Sequence, residues 1–283
     1  MDRADAEARA RRPALTPLMR LAWLTDIHVD FLTPYELLAF CSELDAADAD
    51  AFLVTGDISV APTLTEHLEQ LADGVRRPFY FVLGNHDFYG GGVFEVREAV
   101  AARCAESEWL RYLSASEVSR LSDRWALVGH DGWADGRLGN YHESPVMLND
   151  YVLIKDLAWL SPEDRLARMQ ELAEEAGSHL LRTVRAALES HERVLVGTHV
   201  PPFREACWHQ GAISNDDWLP HFTSKASGDA LLSALEGRGD RQVLVLCGHT
   251  HGEGRTWPLP NLEVRTGGAV YTRPQIQEIL ELL

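Results

Sequence analysis

Short apolar runs recur along the chain, and each stops abruptly at polar residues. Leu21-Ala22-Trp23-Leu24 ends in Thr25-Asp26-Ile27-His28, and Ala51-Phe52-Leu53-Val54 ends in Thr55-Gly56-Asp57. Phe79-Tyr80-Phe81-Val82-Leu83 ends in Gly84-Asn85-His86-Asp87, followed by Gly90, Gly91 and Gly92. Continuous apolar runs of this length predict strands buried on both faces, as in a parallel sheet. Runs at 125–129, 193–197 and 242–247 repeat the pattern and deliver His130-Asp131, Thr198-His199 and Gly248-His249-Thr250-His251.

Helical spacing fills the intervals. Thr33 and Pro34 read as the cap and first turn of a helix carrying Leu37, Leu38, Cys41 and Leu44. Leu64, Leu68 and Leu71 mark a second helix, and Val96, Val100 and Cys104 a third. Pro162 and Glu163 open a long helix whose stripe includes Leu166, Met169, Leu172, Leu180, Val184 and Leu188; Gly177 within it predicts a bend. Leu231, Leu232 and Leu235 suggest a short helix. Residues 134–161 and 204–228 keep no period and read as surface excursions. Leu262-Glu263-Val264-Arg265 and Ala269-Val270-Tyr271 alternate like a closing hairpin.

At 283 residues and 46% hydrophobic content, the chain can build one large α/β core, expected over 19–283. Residues 1–18, rich in Ala, Arg and Asp, read as a flexible tail without the apolar core of a secretory signal, and Met19 is an alternative start. No apolar run approaches the roughly 18–20 residues of a membrane span. Cys41, Cys104, Cys207 and Cys247 are too scattered for a disulfide framework or zinc ribbon, which points to reduced thiols in a cytoplasm. A net charge of −17 disfavours a broad nucleic-acid face. It leaves room for a small phosphorylated ligand, because a bound metal inverts the local sign. The oligomeric state is not legible.

The spacing of the polar strand ends carries the chemistry. Asp26 to Asp57 is 31 residues and Asp57 to Asn85 is 28, close to the roughly 30 residues of a βαβ unit. Right-handed crossovers keep the carboxyl ends of such strands on one edge, where open sheets bind ligands. That edge would gather Asp26, His28, Asp57, Asn85, His86, His199, His249 and His251. Carboxylate, imidazole and amide donors together suit Mn, Fe, Co, Ni or Zn. Residues two apart at a strand end face the same way, so Asp26/His28 and His249/His251 can each reach one site. Asp57, central in the order, is the natural bridging carboxylate.

In the motifs Asp26-Ile27-His28, Gly56-Asp57, Gly84-Asn85-His86-Asp87, Thr198-His199 and Gly248-His249-Thr250-His251, the chain resembles the calcineurin-like metallophosphoesterase superfamily. The likeness runs from about residue 20 to 270. It implies a four-layer α/β/β/α sandwich of two mixed sheets with flanking helices. It also implies two divalent or trivalent metal ions, such as Mn, Fe or Zn. Asp26, His28, Asp57 and His251 would hold one ion, and Asp57, Asn85, His199 and His249 the other. The implied activity is hydrolysis of a phosphomonoester or phosphodiester, with a metal-bridging hydroxide attacking phosphorus in line. His86 would donate a proton to the leaving oxygen or stabilise phosphoryl charge. Asn85, His86 and His130 are expected to contact substrate. Backbone N–H groups near Gly90 to Gly92 would face phosphate if a helix starts there. Many members carry an Asp three residues after the bridging one to orient the catalytic His; here that position is Val60.

Taken singly, each motif has a plainer reading: Gly56-Asp57 as a turn, His199 as a satisfied core histidine. His67, His179 and His191 read as solvated helix residues and His142 as surface. Trp208, His209, Trp218 and His221 fit either a stacking surface over the site or a small satellite core. Two other functions compete, a non-catalytic binding or scaffold module of the same fold and a nuclease acting on short single strands.

Overall fold

A computed structural model of the protein describes residues 18–283, so the expected tail lies outside the described residues apart from Leu18. The strands are β1 (Met19–Leu24), β2 (Ala51–Thr55), β3 (Phe79–Val82), β4 (Leu110–Tyr112), β5 (Ser119–Arg120), β6 (Trp125–His130), β7 (Arg193–Thr198), β8 (Trp208–His209), β9 (Ala212–Ile213), β10 (Gln242–Cys247), β11 (Gly254–Leu259), β12 (Leu262–Thr266) and β13 (Glu278–Leu282). The helices are α1 (Pro34–Ala46), α2 (Leu64–Val75), α3 (Val93–Glu106), α4 (Asp150–Leu153), α5 (Pro162–Ser190), α6 (Leu219–Phe222) and α7 (Lys225–Leu235). At the start of α1, Thr33 and Glu36 form the reciprocal capping pair.

Two mixed sheets result. One has the order β13-β1-β2-β3-β4, the other β11-β12-β10-β7-β6-β5. In the first, β1 to β4 run parallel and β13 joins β1 antiparallel. In the second, β12, β10, β7 and β6 are parallel, while β11 and β5 are antiparallel edges. Alternation along each strand sorts the side chains into layers. Leu21, Trp23, Leu53, Leu127, Leu195, Leu244 and Leu246 pack between the sheets. Their neighbours Ala22, Leu24, Phe52 and Val54 face outward onto Leu44, Leu68, Leu71 and Val100 of α1, α2 and α3. On the far side, Val128, Val194, Val196 and Val245 face Leu180, Val184 and Leu188 of α5 and Leu231 of α7. The order of layers is helix, sheet, sheet, helix.

A buried carboxylate ties the two sheets together. Asp131, just past β6, accepts the Leu83 N–H at 2.8 Å and the Ser114 hydroxyl at 2.7 Å on one oxygen. Its other oxygen takes the Tyr112 hydroxyl at 2.7 Å and Arg97 Nε at 2.8 Å. Burial works against charge here, but the Arg97 guanidinium and these donors hold the carboxyl below the usual range.

Several expectations are corrected. α5 runs unbroken through Gly177, because the glycine answers a packing need: a Cβ there would lie 2.9 Å from the Ala226 carbonyl of α7. The closing hairpin pairs β12 with β11 rather than with 269–271, which form no strand. The first excursion contains α4, and the second contains the β8–β9 ribbon and α6. His67 is half-buried and bonds Ser59 Oγ through Nδ1 at 2.6 Å instead of being solvated.

Candidate metal centre

Parallel β1, β2 and β3 and parallel β7 and β10 present their carboxyl ends to one cleft. There the backbone loops are stitched directly to each other. Asp26 N–H donates to Gly56 O, and His28 N–H to Asp57 O, both at 3.0 Å. Gly248 N–H donates to His199 O at 2.9 Å. The approach is close enough that a Cβ on Gly248 would sit 2.0 Å from Asp26 Oδ2, so no larger residue fits before His249. Asp26, His28, Asp57, His249 and His251 all hold left-handed backbone, with φ from 40° to 70°. Asp and His tolerate this region better than most residues, yet it still carries strain.

The donor atoms converge. Asp26, His28, Asp57 and His251 each offer a ligand atom within 4.8 Å of the others, as do Asp57, His199 and His249. His28 Nε2 lies 3.3 Å from His251 Nε2 and 3.8 Å from Asp57 Oδ2. His251 Nε2 is 3.4 Å from Asp26 Oδ1, and His199 Nε2 is 3.4 Å from Asp57 Oδ1. Asn85 Oδ1 stands 3.1 Å from His199 Nε2 and so joins the second group. Asp57 belongs to both.

Donor chemistry fits a pair of cations. Among the described residues, buried Asp26 and Asp57 have only imidazoles, and no Arg or Lys, as ion-pair partners. Buried carboxylates without a fixed counter-charge call for a cation. The histidine tautomers are set from outside. His199 Nδ1 donates to Thr55 O at 2.8 Å, which leaves Nε2 facing the cluster. His249 Nε2 donates to His221 O at 3.2 Å, which leaves Nδ1. Burial opposes ionisation of Asp57, but His199 and His86 beside it hold its carboxyl well below the ordinary range. Burial lowers His28 to about 4 and His249 to about 3, so both offer neutral lone pairs at pH 7. Against its burial, His199 is lifted to about 10 by Asp57, a proton that a metal would replace.

His86 lies at the mouth of the cluster, its backbone N–H donating to Asp57 Oδ1 at 2.9 Å. Its ring is flanked by Tyr89 and His28, at centroid distances of 4.3 and 4.6 Å. Val60 packs against the core under α1 to α3 instead of supplying a carboxylate. Tilted and edge-on ring contacts, rather than a carboxylate, flank this imidazole.

The structure does not bring His130 to the cleft. It shares the face of Ala126 and Val128, which points to α5, and its ring lies 5.1 Å from that of His179. Nor does the start of α3 face the cleft: Val93 N–H is capped by Asp156 Oδ2 at 2.8 Å, and Gly90 N–H by Leu153 O. Residues of the second excursion divide between two surroundings. Trp218, Phe222 and His209 line a hollow of about 610 Å³ over the cluster. His221 is buried against Tyr141 and Tyr151.

Asp150 was not foreseen. This buried residue of α4 accepts Asn85 Nδ2 at 2.9 Å and the Tyr89 hydroxyl at 2.6 Å. It thereby turns the Asn85 amide so that its oxygen faces His199. A carboxylate in an aperiodic stretch leaves no signal in the sequence. Asp150→Ala is expected to cut metal affinity or turnover by about 10–100-fold, checked by metal titration beside a melting curve that shows the fold intact.

The model of the calcineurin-like phosphoesterase family matches residues 19–253. The chain belongs to that family. Metal-dependent hydrolysis of phosphoesters is its general activity, and the paired donor groups suit a dinuclear site. Among solved structures, the phosphopantetheinyl hydrolase of Mycobacterium tuberculosis is similar, with TM-score 0.65 and 15% identity, covering 94% of this chain and 96% of that one. A dimetal phosphatase from Danio rerio matches with TM-score 0.53 and 15% identity, covering 89% and 88%. No curated protein matches in sequence. Among the described residues of this family member, no helix is long and apolar enough to cross a membrane.

Proposed function

We propose that the protein hydrolyses small phosphate esters at a dinuclear centre. Asp26, His28, Asp57 and His251 would hold one cation, and Asp57, Asn85, His199 and His249 the other. The observation that carries this reading is Asp57, whose carboxylate is shared by both donor groups. A cation pair held there supplies an activated water and a clamp on the phosphoryl oxygens.

The chain's own groups do the rest. Asp150 fixes the Asn85 amide, and His199 and His249 are locked by backbone carbonyls, so the donors are set before substrate arrives. His86, flanked by Tyr89 at the mouth, gives a proton to the leaving oxygen or steadies charge on the phosphoryl group. The two neighbours are named for a phosphopantetheinyl hydrolase and a phosphatase, so the fold does not by itself choose between diester and monoester. A reducing, cytoplasmic setting belongs to the same reading, supported by the unpaired thiols of Cys41, Cys104, Cys207 and Cys247.

Purified chain is expected to turn over 4-nitrophenyl phosphate or bis(4-nitrophenyl) phosphate, to lose that activity to a chelator and to regain it with Mn²⁺. Metal analysis run on the same sample completes the test. Full metal loading with no turnover of either ester would overturn the proposal.

A further inference from the structure

The hollow above the cluster, about 610 Å³, lies well within the range that accepts an organic ligand of drug-like size. Its floor is the candidate metal centre. Its walls are of another character. Trp218, Phe222 and Tyr271 supply aromatic surface, Leu148 and Ile213 aliphatic surface, and Asn215 an amide. Trp218 is 47% exposed and Tyr271 43% exposed, although both rings border a cavity that could cover them. Asn215 Oδ1 accepts the N–H groups of Asp217 and Trp218, which fixes this amide at the wall of the hollow.

What the walls lack is positive charge. Apart from imidazoles, no cationic side chain lines the hollow among the described residues. Arg204, which lies in the same excursion, is paired with Asp216 at 2.6 Å. Asp150 adds a carboxylate to the lining, and the whole chain carries −17. Sites that read additional phosphates use Arg forks or Lys ammonium groups. A second phosphate held in this hollow would meet aromatic and aliphatic faces, amides, the Ser214 hydroxyl, the His209 imidazole and a carboxylate, with no Arg fork or Lys ammonium among the described residues.

We infer that the substrate carries one phosphoryl group, seated at the metals, joined through its ester oxygen to an uncharged organic arm that lies on Trp218, Phe222 and Tyr271. Substrates with a further phosphate on that arm are rejected. The inference rests on the hydrolase reading and deepens it by naming the substrate class. Burial of an aromatic or aliphatic arm against three rings gives affinity, and the Asn215 amide gives a point of hydrogen bonding.

The test compares matched esters on the Mn²⁺-loaded full chain. One is thymidine 5′-phosphate 4-nitrophenyl ester, and the other is the same compound with a 3′-phosphate. The extra phosphate is expected to lower kcat/KM by at least about tenfold, mostly through KM, as like-charge contacts do. Binding of the corresponding phosphonates, in which a methylene replaces the 5′ ester oxygen and leaves no P–O bond to the arm, followed by tryptophan fluorescence, should give the same ratio without any turnover. Ile213→Arg, at a position on the wall that is 36% exposed, should narrow the ratio at least about threefold. Equal affinity for the two phosphonates overturns the inference and leaves the hydrolase reading standing. A ratio unmoved by Ile213→Arg assigns the discrimination to another surface and overturns the inference as well. Tight and selective phosphonate binding with no hydrolysis of any ester sinks the hydrolase reading instead.

Discussion

Asp57→Asn is expected to lower kcat on 4-nitrophenyl esters by about a thousandfold or more. Two cations together contribute several kcal/mol to the transition state, and each 1.36 kcal/mol is tenfold in rate. Asparagine keeps the size of the side chain and tolerates the left-handed backbone held at φ 52°, so the fold should survive. What disappears is the shared negative charge. Asp57 Oδ1 lies 3.4 Å from His199 Nε2 and Oδ2 lies 3.8 Å from His28 Nε2, one in each donor group. Metal analysis should find no more than one tightly held cation per chain. Retention of two, with kcat within tenfold of the parent, would remove Asp57 from the bridging role.

The second large effect is on stability. Asp131→Ala should destabilise the fold by about 3–5 kcal/mol, because it takes the buried carboxylate from the half-buried Arg97 guanidinium, which keeps only the exposed Glu175 as a partner. The same change leaves the Leu83 N–H and the Tyr112 hydroxyl without their partner. The pH dependence has a definite sign. Asp131 ionises below the usual range in the folded chain, despite its burial, because of Arg97. Its contribution is therefore complete above the unfolded carboxyl pKa of about 3.9 and fades as pH falls through the lower folded value. Denaturant titrations of parent and variant should differ most near neutrality and converge in acid. A difference under about 1 kcal/mol at pH 7 would show that other contacts hold the sheets together.

Much of this architecture was legible in the chain itself, for a physical reason. Strands buried on both faces must be apolar throughout, so their ends show as sudden changes in polarity at Asp26, Asp57, Asn85, His199 and His249. Spacing near one βαβ unit then implied a common edge, and the structure places these donors in one cleft. Other features left weaker marks. β4 is an edge strand of three residues, too brief to show a period, and β13 is an edge strand in which Glu278 and Glu281 break any apolar run. Asp150, Tyr89 and Tyr271 reach the site from loops or short turns, where position follows tertiary packing rather than periodicity. His130 misled because it ends a strand just as the candidate ligands do. Only its face, shared with Ala126 and Val128, turns it toward α5. Gly177 looked like a helix breaker, whereas its lack of a side chain lets α7 come close.

The left-handed turns at Asp26, His28, Asp57, His249 and His251 have one further consequence. Each costs about 1–2 kcal/mol relative to a relaxed residue, and glycine would release that tension. Selection for robustness alone would therefore erode this cleft, exchanging side chains such as His28 for glycine and leaving a hardier but inert protein. Holding five such conformations at once concentrates strain in this cleft, as ligand-binding and catalytic sites do.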